Sequence, residues 1–404
     1  MKLGLPSWLR RGAKAPAEPG PAGEPPPAAP SGTGVPRDAS AAPSTLGPTA
    51  MGGGSAANAG SNLRPTATDG GSAANAGSHL RPRPRWPWIT AAAALGLAIF
   101  WGVSFYWSRE PTPLWVVAET PSGEPTVVGY STVHTLIDVV EWLLDKPGGY
   151  LSNDVLPPGV WLDNMPSFEL GVLTQCRDLA RVLRNYHSRS QSQSIEDEDL
   201  AIAEPALNTD SESWLFPAAE ARYEDAIEAL RRFEARLTDA DAGNAQFYAR
   251  ADNLREWLAV VELRLGSLSQ RLSASVGQVR VNTDLGGAPA GAATRDANGD
   301  VIVKTPWLQI DEVFYEARGT AWALLMFLRA AQFDFERTLE DKNAVVSLRQ
   351  VIRELEEGLR PIRSPMILNG QGFGMFPNHS LVLASYLSRA HSAVADLRRL
   401  LEQG

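Results

Sequence analysis

Three carboxylates, Asp154, Asp163 and Glu169, fall close together in a segment that also holds Tyr150, Asn153, Trp161 and Asn164. Carboxylates at such spacing can act as a general acid and base pair, and aromatic rings mixed with amides and carboxylates suit glycan or peptide ligands. Residues 150–169 are therefore the first candidate interaction loop. The same residues have a structural use: Asp163 or Ser167 can cap the helix that follows, with Trp161 plugging the end of a helical bundle. A second candidate, residues 364–379, is apolar and glycine-rich, with Asn369, Phe373 and His379 as its polar and aromatic members. It either folds over the core or offers an adaptable binding surface.

The rest of the chain offers little chemistry. It contains five His and one Cys, and none of the serine-hydrolase, zinc-protease, phosphate-loop or zinc-finger spacings. Cys176 stands in an apolar stripe, where a buried thiol is expected, and a lone Cys cannot form an internal disulfide. Gly370, Gly372 and Gly374 resemble a phosphate loop, but no strand precedes them. Asp296, Asn298 and Asp300 have the spacing that opens a calcium loop, yet Val301 stands where glycine is needed and Trp307 where the bidentate Glu belongs. No catalytic, cofactor-binding or metal-ligating residue is assigned, and no cofactor is expected.

The elements that must position these loops are helical. Phe247, Ala251, Leu254, Leu258, Val261, Leu265, Leu268 and Leu272 alternate in steps of four and three, the heptad rule. Ile310, Phe314, Ala317, Ala321, Leu324, Leu328, Ala331 and Phe335 repeat it, as do Leu383, Leu387, Ala390, Val394, Leu397 and Leu401. Shorter stripes lie in residues 132–144, 172–183, 217–237 and 344–359. The pattern predicts an all-α fold, a bundle of about seven helices, several long with coiled-coil-like packing. One small β-hairpin is expected between residues 286 and 306, where Asn298-Gly299 precedes a β-branched run. A heptad seam can bury itself within the chain or against another subunit.

Residues 86–108 carry no charge. At about 1.5 Å per residue such a helix crosses a hydrocarbon core of about 30 Å, with Trp86, Trp88, Tyr106 and Trp107 at the two interfaces. Arg81, Arg83 and Arg85 crowd one flank, whereas Arg109 is followed at once by Glu110, which places the N-terminus in the cytoplasm. Residues 1–109 hold ten Lys and Arg against four Asp and Glu, so the whole-chain charge of -9 leaves -15 beyond the span. An acidic domain argues against nucleic acid as a partner. Residues 1–85, rich in Pro, Ala and Gly, read as a disordered basic arm in which residues 54–65 return almost unchanged as 71–82. The organisation expected is thus arm (1–85), span (86–108), stalk (109–130) and acidic helical domain (131–404).

In residues 146–154, 188–194 and 364–379 the chain resembles an uncharacterised family of bacterial single-pass inner-membrane proteins, known only as a domain of unknown function. The resemblance runs from about residue 110 to the end. It implies a Gram-negative inner membrane and a periplasmic domain, and it brings no activity or site residue. The expectation is a membrane-anchored periplasmic binding scaffold or envelope component, whose partners are the lipid bilayer and an envelope protein or a second copy joined through helical seams. The alternative is a tethered hydrolase or receptor for an envelope glycan or lipid that uses residues 150–169.

Overall fold

The computed structural model describes residues 86–404 apart from 115, 117–126, 191–193, 240–244, 281–292, 296–300, 365, 372–373 and 404. The basic arm with its repeat, Phe373, and the 296–300 turn lie outside the described residues. Among those described, the protein is mostly helical. Helix α1 (Trp86–Trp107) is apolar on every face and exposed along most of its length, and it is long and apolar enough to cross a membrane.

Seven long helices follow: α2 (Tyr130–Asp145), α3 (Asn164–Val182), α5 (Ala219–Thr238), α6 (Ala251–Ser273), α7 (Ile310–Asp334), α9 (Val345–Gly358) and α10 (His379–Glu402). Two short ones, α4 (Leu200–Leu207) and α8 (Glu336–Asp341), complete the set, and α3 ends in a π-helical turn, Leu183–His187. The stripe from Leu254 to Leu272 is buried, as is the one from Leu383 to Leu401, and both belong to one core within the chain. The α6 stripe starts earlier in sequence than its helix does. Phe247 precedes α6 in extended backbone and packs its ring against His187 and Phe335 at 5.0 and 5.6 Å. Asn253 holds that bend by donating to the Tyr248 carbonyl, 2.8 Å away.

Helix α7 is central. From Ala317 to Leu328 each of its residues is buried, so every face packs on protein rather than the single stripe its heptad pattern suggests. It meets α3 at a pair of glycines. A Cβ on Gly171 would overlap the Glu316 carbonyl oxygen, and one on Gly319 would overlap that of Phe168, so the two backbones touch only because neither residue has a side chain. At the far end of α7, Asp334 accepts hydrogen bonds from the backbone N–H of Gly129 (2.8 Å) and Thr132 (2.7 Å), capping α2 from a different helix. Gly129 is required there: its φ is 97°, and a Cβ would overlap the Phe247 ring.

These contacts fix the direction of each helix. Helix α2 starts beside Asp334, passes Trp322 at Trp142 (ring centroids 4.8 Å apart) and ends where Lys146 meets Glu169, beside the contact of α3 with α7. Helices α6 and α9 also run opposite to α7: Arg271 near the end of α6 pairs with Glu316, and Arg318 in the first half of α7 donates to the Gly358 carbonyl at the end of α9, while α10 runs opposite to α6, with the Ala384 carbonyl accepting from Ser269 and Glu262 pairing with Arg398. The connections at residues 146–163, 208–218, 274–309 and 359–378 consequently open at one end. That end adjoins α1. The described residues after α1 climb from it along α7: Glu110 pairs with Arg318 at 2.7 Å, and the Thr112 carbonyl faces the Trp322 indole N–H. Within 274–309, three short strands, β1 (Gln278–Arg280), β2 (Ala293–Arg295) and β3 (Val301–Val303), pair antiparallel in the order β1-β3-β2.

Candidate functional site

Both candidate loops lie at the end of the domain that adjoins α1. In the first, α2 ends at Asp145 and the chain turns through Lys146, Gly148 and Gly149, the glycines at φ 92° and 70°. The turn folds the Lys146 side chain inward. Its ammonium meets the Glu169 carboxylate at 2.6 Å with both side chains at most 2% exposed, and it also donates to the Gly149 carbonyl. Glu169 further accepts from the backbone N–H of Leu151 (3.0 Å) and Ser152 (2.9 Å) and from the Ser152 hydroxyl. Burial pushes the Glu169 carboxyl above its ordinary range, against the opposing pull of Lys146, Ser152 and Leu151. Every acceptor site on this carboxylate is engaged by its own loop.

The other carboxylates do not join it. Asp154 lies against Gly159, where a Cβ would overlap its carboxylate, and is raised by burial and then by Glu220. Asp163 stands at the N-cap of α3 without a side-chain cap bond; its carbonyl instead accepts from the Ser167 N–H and hydroxyl, at 3.1 and 2.9 Å. Asp163 acts across the interhelix space on Glu312, whose carboxyl is raised first by burial and then by this neighbour. Trp161 is 68% exposed and does not plug the bundle end, which Tyr150, Leu151, Met165 and Phe168 fill. Its ring packs edge-on against Phe100 of α1, centroids 5.4 Å apart. Asn153 ties this loop to the next by donating to the Ser213 carbonyl (3.0 Å) and to Glu220 (2.7 Å).

The second loop is pinned at its base. Asn369 and Asn378 form a β-bridge, the Asn378 side chain caps α10 by accepting from the Leu381 N–H (2.8 Å), and Ser380 donates to Asn369 (2.9 Å). His379 accepts from the Leu368 N–H at 3.1 Å, and burial followed by Arg318 lowers its pKa. The tip, Met375 and Phe376, is exposed.

Two cavities meet at the wall Pro361–Ile362. One, about 510 Å³, lies between α1 and the domain among Trp101, Phe105, Arg109, Leu162, Asn164 and Tyr315. The Asn164 side-chain oxygen is buried there with no hydrogen-bond partner, and burial with Glu110 pushes the Tyr315 phenol up to about 12. The other, about 370 Å³, lies beside Arg318, His379 and Tyr386. Asn164 and His379 are thus brought to neighbouring cavities, while Glu169 is sealed away from both. Two residues escaped the sequence reading. Lys146 gave no signal, because a buried lysine looks like any surface one; Arg318, a cation amid the apolar positions of α7, did give one. Among the described residues no group of three His, Cys, Asp or Glu is arranged to hold a metal ion.

A family model described as "Uncharacterized protein conserved in bacteria (DUF2333)" matches residues 83–404. The chain belongs to this family. The match starts well before residue 110, so α1 and its junction with the domain are family features along with the loops. No curated protein and no solved structure matches the chain.

Proposed function

We propose that this family member is a single-pass inner-membrane protein, N-terminus in the cytoplasm, whose acidic helical domain works in the periplasm by binding, as a scaffold or envelope-assembly component. The observation that carries the reading is the Lys146–Glu169 clasp: the carboxylate nearest in sequence to a catalytic arrangement holds its own loop shut. Support for the orientation is the Arg81, Arg83, Arg85 cluster before α1 against Arg109-Glu110 after it. The heptad seams are buried inside the chain, so a partner meets other surfaces. A second copy would pair along Ala94, Ala98 and Gly102 of α1, where a Cβ on Gly102 would meet nothing.

A second reading, a receptor for an envelope lipid or glycan, draws on the unpartnered Asn164 oxygen in the 510 Å³ cavity. One experiment separates the two. A photo-crosslinking residue is placed in living cells at exposed helix positions Leu263 and Ile202 and at cavity residue Leu162. The scaffold reading expects a discrete protein adduct from a helix position. An adduct to a small molecule at Leu162, with no protein adduct from either helix position, would favour the receptor and sink the scaffold.

A further inference from the structure

The large apolar side chains left exposed at the end beside α1 come from all four of its loops. Leu156 and Trp161 belong to the first, Phe216 (90% exposed) to the second, Trp307 (81%) to the third, and Met375 (95%) and Phe376 to the fourth. Scattered exposed apolar residues are ordinary on a protein surface; four adjacent loops that each present an aromatic ring are not. The first two loops are joined by the Asn153 bond to Ser213. The first also touches the anchor itself, where Trp161 packs on Phe100 and Trp107 packs on Gly148.

We infer that this end of the domain is embedded in the lipid interface of the adjoining leaflet, the four loop tips serving as a second membrane attachment beside α1. Continuity with the span identifies lipid as the occupant. Phe100 lies seven residues before Trp107, about 10 Å deeper along the helix axis. If Trp107 marks the interface, the Trp161 ring that rests on Phe100 sits about that far below it, at the depth to which interfacially embedded apolar groups insert. The charged groups here are of both signs, with Arg109, Arg360 and Arg363 in the same region as Asp154, Asp163 and Glu312. Apolar insertion rather than attraction to anionic headgroups therefore holds the surface down, and salt does not release it.

This inference rests on α1 spanning the membrane, and its test separates the two. The full chain is reconstituted in phosphatidylcholine vesicles at high salt, with single fluorescent labels on Leu156→Cys, Trp307→Cys or Met375→Cys, on Leu97→Cys within α1, and on Val346→Cys at the opposite end of the domain. The native Cys176 is fully buried and does not compete for label. Each replaced side chain is exposed, so the core stays intact. The expected result is severalfold stronger quenching of the three loop labels by nitroxide on lipid chains than by aqueous iodide, as for Leu97, with the reverse at Val346. Loop labels that behave like Val346 while Leu97 is lipid-quenched would overturn the inference and leave the loops as a protein-docking surface. Iodide quenching at Leu97 as well would instead remove the anchor reading on which it rests.

Discussion

Glu169 illustrates how far a single residue can be read from sequence. Its spacing from Asp154 and Asp163 suggests paired carboxylates, yet its side chain is fully buried and paired with Lys146 under four hydrogen bonds from its own loop. Removing one partner leaves the other charge buried and alone. Lys146→Met or Glu169→Leu should each cost about 3–5 kcal/mol, and the double replacement should cost clearly less than the sum of the two, because no charge is then left buried alone. Chemical denaturation of the full chain in detergent checks this; a double-variant loss equal to the sum of the two single losses would mean that the two residues do not act as a pair. Asp163→Ala should change stability by less than about 0.5 kcal/mol, because its carboxylate makes no cap bond. Asn164 and His379 stand out in the sequence as an amide and an imidazole at loop ends, and the structure sets each beside a cavity. The clasp was not, because burial of a lysine depends on a glycine turn that sequence alone does not aim.

At the scale of elements, apolar periodicity carried most of the fold. The buried positions of α6 and α10 are those of their stripes, since a helix with one apolar face has one way to bury it. Periodicity failed where geometry depends on a neighbour: α6 begins only after the Phe247 bend, and α7 is buried on all sides because six other helices surround or cap it. The Gly171–Gly319 contact was equally hidden, since it exists only once α3 and α7 are adjacent. Gly319→Ala should therefore cost about 1–3 kcal/mol, as overpacking does where backbone cannot yield. Gly102→Ala, in open space on α1, should leave domain unfolding unchanged. Equal thermal midpoints for Gly319→Ala and the unaltered chain would remove the close-contact account.

For the whole molecule, the uncharged stretch of residues 86–108 and the change of charge across it were legible from composition. The way the helices gather four loops at the end beside α1 was not, because it depends on which helix packs against which. The central claim is that α1 spans the inner membrane with the acidic domain outside the cytoplasm. Reporter fusions test it most directly: an enzyme active only in the periplasm is fused after Gly404, and in a second strain inserted before Trp86. The account predicts activity from the C-terminal fusion alone. Activity from the fusion before Trp86 alone would put the helical domain in the cytoplasm and contradict it.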